Sequence, residues 1–254
     1  MITAKDVAQN GMTEEKKKMD YSNLVAKYLH RPISFMIAAR FLNMNWTANR
    51  VTLLSMIPVL LALPVMSFAH SVPVRILGGL LWWTWAILDS VDGDMARYTH
   101  STSNAGGFLD AVGGYVAMWV WPLASGMAAY QDSQNSLFSV SMAPVLLVFL
   151  GALTSIFAIF PRLVMHKAIH MNLIDRDNNE FNTKQDYSLL KCVCATVIDP
   201  VGVPNYLYLL SCVAHTLDLF VLFYFLLYFV FCFATFWKML ATALKAGNAG
   251  EKET

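Results

Sequence analysis

Long apolar runs without a charge constrain this chain more than any other feature of its sequence. Crossing the hydrocarbon core of a bilayer takes about 20 mostly apolar residues at 1.5 Å each, and a helix meets that need because its backbone polar groups pair internally. Residues 51–69, 111–131, 133–161 and 219–237 are runs of this kind. Two further runs are interrupted. Residues 76–88 lead straight into Asp89, Asp92, Asp94 and Arg97, and residues 200–217 follow Asp199 and contain Pro204 and His215. With both accepted as spans, six membrane helices are expected.

Composition supports a membrane protein. Residues of the apolar set make up 57% of the 254 and charged ones 14%, whereas a soluble domain averages about 45–50% and about 25%. The net charge of +1 argues against a nucleic-acid binder, which needs a basic face. The aromatic content of 13% is the opposite of a disordered chain's. Cys192, Cys194, Cys212 and Cys232 lie in or beside apolar stretches without zinc-type spacing, so they read as small hydrophobes. No secretory signal precedes the first run.

Orientation follows from the basic residues, which concentrate on the cytoplasmic side of membrane proteins. With the N-terminus inside and six spans, all but Arg75 of the eighteen Lys and Arg fall on the inner side. The expected fold is therefore an all-α membrane protein of six transmembrane helices with cytoplasmic termini. Residues 1–19 are expected to form a polar tail, residues 20–45 an interfacial amphipathic helix, residues 46–245 the six-span domain and residues 246–254 a second polar tail. In the inner loop at 171–191, Asp175, Asp177 and Asn179 echo the start of a calcium loop. Glu180, however, stands where that loop needs glycine, so a solvated loop is the better reading.

Ionisable groups inside a span are costly and mark function by default. Asp89, Asp92, Gly93, Ala96 and Arg97 follow one another at helical offsets that place them within about 140° on one face, while Asp94 points elsewhere. After a turn at residues 98–105 the next helix opens with Gly106 and Asp110, again on one face. The short turn makes the two helices antiparallel neighbours in this reading, with Asp110 facing Asp89 and Asp92. Three converging carboxylates repel unless a cation holds them, and an oxygen-only set selects Mg²⁺, Mn²⁺ or Ca²⁺. Arg97 supplies a fork suited to phosphate. Metal and phosphate together point to phosphoryl transfer.

The stretch Asp89-Ser-Val-Asp92-Gly93-Asp-Met-Ala96-Arg97, eight residues, then Gly106-Gly-Phe-Leu-Asp110 resembles the D-x-x-D-G-x-x-A-R, x8, G-x-x-x-D-x-x-x-D signature of the CDP-alcohol phosphotransferases. Thr47-Ala48-Asn49 is similar to the Thr-Pro-Asn that often opens that family's first span. The resemblance covers the first three spans and implies a homodimeric enzyme of phospholipid or cell-envelope biosynthesis in the plasma (inner) membrane, with a cytoplasm-facing site. Such enzymes transfer a substituted phosphate from a CDP-linked donor, such as CDP-diacylglycerol or a CDP-polyol, to an acceptor and release CMP. By carry-over, Asp89, Asp92 and Asp110 bind two divalent cations (Mg²⁺ or Mn²⁺). Gly93, Ala96 and Gly106 make room for the nucleotide, and Arg97 steadies the phosphates. Arg162 is weighed evenly between binding the acceptor's head group and anchoring at the interface.

One position departs from the pattern. The family's fourth Asp, its proposed general base, should stand at residue 114, where this chain has Gly114. Three readings are open. The acceptor is already an anion, or Asp94, His100 or the 171–191 loop takes the proton, or the protein binds nucleotide or lipid without turnover. Away from the motif, Trp82, Trp83 and Trp85 read as packing, Asp199 and Asp218 as helix caps, and Gly78-Gly79, Gly106-Gly107 and Gly113-Gly114 as close-contact points between helices.

Overall fold

The structure, a computed structural model, describes residues 1–13, 23–136, 143–173 and 189–250, and the described residues are helical without a strand. Helix α1 (Ala4–Asn10) is followed by a π-helical turn (Ala26–His30) that runs into α2 (Arg31–Asn43). Next come α3 (Ala48–Ser67), α4 (Val72–Tyr98), α5 (Asn104–Asp132) and α6 (Pro144–His170). The last three are α7 (Leu189–Ile198), α8 (Val203–Ala214) and α9 (Leu217–Gly250).

Helices α3, α6 and the Leu217–Leu244 part of α9 are long and apolar enough to cross a membrane, and the bent pair α7 and α8 adds a fourth if it is counted as one span. Each of the three turns a regular apolar stripe outward: Leu53, Ile57, Leu60 and Leu61 on α3, Phe149, Ile156, Phe160 and Leu163 on α6, and Phe223, Leu226, Val230 and Phe233 on α9. In water such stripes would be unfavourable; against lipid they are the expected surface. Helices α4 and α5 reach spanning length with 27 and 29 residues, about 40 Å each, but polar and tryptophan-rich segments dilute their hydropathy.

Three expectations need correction. Residues 1–13 are not a tail. Thr3 and Asp6 form a capping box, with Asp6 N donating to Thr3 Oγ1 at 3.2 Å and Thr3 N to Asp6 Oδ2 at 2.8 Å, and Val7 is fully buried beside Ala38, Val51, Val91 and Met95. The 200–217 run is not a span by itself either: its helix α8 has 12 residues and reaches a span's length only together with α7. The chain bends by 58° between α7 and α8, at Asp199 and Pro200, where proline withholds a backbone donor. The expected start of the fourth span at residue 133 also shifts, because α6 begins at Pro144; residues 137–142 lie outside the described residues. So do residues 14–22, most of the 171–191 loop with its calcium-like triplet, and residues 251–254 of the expected C-terminal tail, into which α9 extends as far as Gly250.

The core lies where α4 and α5 meet α8 and α9. Trp82 and Trp121 stack with ring centroids 5.0 Å apart and planes within 5°, and Tyr208, Phe220, Tyr224 and Tyr228 close around them. Trp85 is buried in the same cluster, and Trp83 donates its indole N–H to Tyr206 at 3.0 Å. The tryptophans thus serve helix packing, as the sequence suggests.

Candidate functional site

Helix α3 packs along both α4 and α5, whereas α4 and α5 themselves meet only sparsely. The two helices joined by the short turn are thus held side by side largely through α3, which backs a cleft that α4 and α5 flank. At one end of this cleft lies a cavity of about 490 Å³. Its wall carries Asp89, Asp92, Gly93, Ala96 and Arg97 from α4, Gly106, Gly107 and Asp110 from α5, and Ala48, Asn49 and Thr52 from α3. All seven motif residues thus share one cavity. Helix α4 runs unbroken through its acidic stretch, so the offsets read from sequence become neighbours on one face. Ser103 accepts from the Gly106 N–H at 3.0 Å and fixes the start of α5.

Asp92 is 4% exposed, and its Oδ2 has no hydrogen-bond partner. A buried carboxylate oxygen in this condition is expensive unless something arrives to bind it. Thr52, Asp110 and Arg97 are its neighbours. Asp89 is half-buried and Asp110 exposed toward the cavity. Among the described residues no three Asp, Glu, His or Cys side chains converge on a single point as a ready-made metal site. Magnesium-type cations are commonly held by one or two carboxylates together with substrate phosphates and water. The orphaned Asp92 oxygen and the hard-oxygen donor set fit that arrangement.

Asp94, which the sequence turns away from this face, explains how Arg97 is aimed. Its buried carboxylate receives Arg31 Nη1 at 2.6 Å, Arg97 Nη2 at 2.5 Å and the Ser34 hydroxyl at 2.6 Å. Arg97 Nε donates to the Gly11 carbonyl at 3.1 Å. The guanidinium is thus gripped from behind, with Nη1 beside Gly93 on the cavity wall. A Cβ on Gly93 would stand 3.1 Å from Arg97 Nη1, and one on Gly106 3.1 Å from Asn49 Oδ1, so these positions make room for the chain's own side chains. Gly107 alone of the three meets nothing within 4 Å.

Arg162 lies outside the cavity wall. It is exposed, with Nη1 4.0 Å from where a Gly114 Cβ would be, and beside it Tyr115 Oη and His166 Nδ1 are 2.7 Å apart. Of the candidate proton acceptors, Asp94 is consumed by its three donors. His100 sits exposed in the left-handed region at φ 51° and is not on the wall. Most of the 171–191 loop is outside the described residues.

Sequence reasoning missed part of the wall: Arg31, Asn23, Ala26 and Val201, and above all Asp199, which it reads only as a cap. Arg31 could have been anticipated, since a carboxylate forced into a buried face at Asp94 requires a cation. No local signal brings residue 199 to residue 23. No protein-family model matches the chain, and no curated protein matches it either.

Proposed function

We propose that this protein is a divalent-metal-dependent membrane transferase of the CDP-alcohol phosphotransferase type, which moves a substituted phosphate from a CDP-linked donor to an acceptor and releases CMP. The observation that carries the reading is the gathering of all seven motif residues on one cavity, with the Asp92 oxygen buried and unpartnered among them. In this reading α4, α5 and the bent pair α7 and α8 also cross the bilayer, giving six spans. Both termini and the cavity face the cytoplasm of a plasma membrane, and the enzyme works as a homodimer.

Asp89, Asp92 and Asp110 would hold the cations, which supply charge neutralisation at the donor pyrophosphate. Arg97, fixed by Asp94 and Gly11, presents Nη1 to the phosphates without needing to reorganise. Asn49 and Thr52, on the α3 wall, offer polar contacts to the nucleotide. The cleft flanked by α4 and α5 would orient the donor's scissile bond.

Calorimetry on detergent-purified protein tests the reading. CMP is expected to bind with Mg²⁺ or Mn²⁺, GMP is not, and metal-free buffer or Asp92→Asn should abolish binding. Asp110→Ala should abolish CMP release from CDP-diacylglycerol. Equal binding of CMP and GMP, or none, would overturn the assignment. Gly114 favours one second reading, a homologue that binds CMP without turnover; it predicts the same calorimetry with no CMP release under any acceptor.

A further inference from the structure

We infer that the segment of residues 1–11 is a working part of the site: by docking α1 it brings the Gly11 carbonyl to Arg97, sets the plane of that guanidinium, and so makes turnover depend on the docking. The role of Arg97 in phosphate transfer rests on the transferase reading above. A helix of seven residues does not hold itself together in water, so α1 owes its place to what it packs on. Val7 is fully buried against Ala38 and Leu42 of α2, Val51 of α3, and Val91 and Met95 of α4, the helix that carries the acidic motif. The Asn43 side chain clasps Ile2 by two bonds, with Ile2 N donating to Oδ1 at 2.9 Å and Nδ2 donating to the Ile2 carbonyl at 2.7 Å.

The other end of α1 is delivered to the motif. The Gly11 N–H donates to the Val7 carbonyl at 2.8 Å and closes the helix, while the carbonyl of Gly11, a buried residue, receives Arg97 Nε at 3.1 Å. A Cβ on Gly11 would stand 2.7 Å from the Val7 carbonyl and 3.3 Å from that of Asp94, so the chain lies as close to α4 here as a glycine permits. A guanidinium is planar and rigid, and a single bond leaves it free to swing about that bond. The Asp94 contact at Nη2 and the Gly11 contact at Nε together hold the plane, and Nη1 is the nitrogen left beside Gly93 on the cavity wall. Asp94 sits on α4 with Arg97 itself, whereas Gly11 comes from 86 positions away. The bond at Nε is therefore the one that docking gives or withholds.

Freed of Gly11, Arg97 keeps its charge and its bond to Asp94 but loses the fixed direction of Nη1. Attraction for a nucleotide phosphate survives this, because it depends on distance more than on angle. Alignment with the charge that develops during transfer does not survive, and a misplacement of about 1 Å costs roughly 10²-fold in rate. Undocking should thus act on kcat and spare affinity.

The test uses the full chain in detergent, with isotope-labelled arginine read by nuclear magnetic resonance. The Arg97 Nε–H signal, assigned by its loss in Arg97→Lys, is expected in the parent as a proton slow to exchange with water. It should vanish in Gly11→Val, whose side chain pushes the segment off α4, and in Val7→Asp, which expels α1 by putting a carboxylate where Val7 is buried. CMP release from CDP-diacylglycerol is followed with glycerol, inositol, serine and glycerol 3-phosphate as acceptors. Both variants are expected to lower kcat by about 10–100-fold with CMP affinity within about threefold of the parent, a split that a general loss of structure would not give. If one variant does not fold by thermal melting, the other carries the test. An Nε–H signal unchanged in a folded variant overturns the inference, as does a lost signal with kcat kept within about threefold, a fall of CMP affinity in step with kcat, or a parent that releases no CMP with any of the four. Failure of the parent to bind CMP is the separate result that sinks the transferase reading, with the labelled arginine still deciding the Gly11 contact.

Discussion

His30, next to the cavity residue Arg31, is fully buried, with Nε2 3.2 Å from the Tyr206 hydroxyl. The same hydroxyl accepts from Trp83 at 3.0 Å and can also donate to Nε2 of a neutral imidazole. Burial pushes the imidazole down to about 4 from an ordinary value of 6.5; Asp199 opposes the shift and Arg31 assists it. The sign follows from proton counting. Between about pH 6.5 and 4 the unfolded chain binds a proton that the folded chain refuses, so stability falls as pH drops through this window and is untouched above it. Melting in detergent is expected to be lower at pH 5 than at pH 7.5, and His30→Gln should flatten that difference; an unchanged slope in the variant would place the acid sensitivity elsewhere. At this scale the motif acids were legible because carboxylates inside an apolar helix must have a purpose. Asn23 and Asp199 were not, since their meeting depends on how distant segments fold together.

Among the elements, α5 and α6 cross with backbone against backbone. A Cβ on Gly126 would stand 2.6 Å from the Leu147 carbonyl, and one on Gly151 2.6 Å from the Pro122 carbonyl, so both sites bring backbone against backbone. Gly151→Ala should therefore cost about 1–3 kcal/mol of stability by overpacking, because neither carbonyl can rotate aside as a side chain would. Gly107→Ala, facing open space, should change melting little, and thermal scans of the two variants side by side decide the point. Of the adjacent glycine pairs singled out from sequence, Gly78-Gly79 is a close contact, a Cβ on Gly78 standing 2.3 Å from Met66 and one on Gly79 2.7 Å from Leu209; the pair Gly126 and Gly151 is 25 positions apart and is visible only once two helices cross. The spans of α3, α6 and α9 were legible because their apolar runs carry few charges. The break between α7 and α8 was only half legible: Pro200 signals a stop, but nothing local gives the direction of the bend. Helix α1 was missed although Thr3 and Asp6 have capping spacing, because seven residues cannot hold a helix without the packing of Val7.

For the whole molecule, the two ends of the bundle differ. The cavity end gathers acids and committed arginines. Elsewhere, Arg75 is buried and paired with Asp132 at 2.9 Å, and His215 Nδ1 lies 2.9 Å from the same carboxylate, tying the start of α4, the end of α5 and the link from α8 to α9. The one basic residue that the six-span reading leaves outside is thus consumed internally. Asp132→Leu alone should destabilise the protein by about 3–5 kcal/mol by stranding the Arg75 charge, and adding Arg75→Met should recover most of the loss. A double variant as unstable as the sum of its singles would show that the pair is not coupled. The contact between Gly11 and Arg97 bears on topography as well. Arg97 stands on the cavity rim, 86 positions along from its carbonyl partner, and Ile2 is fastened by two bonds to Asn43 just behind. Whichever compartment the cavity opens into, the first residues must lie there too, so a short tag read from one side of a sealed vesicle would report the address of the active site without touching it.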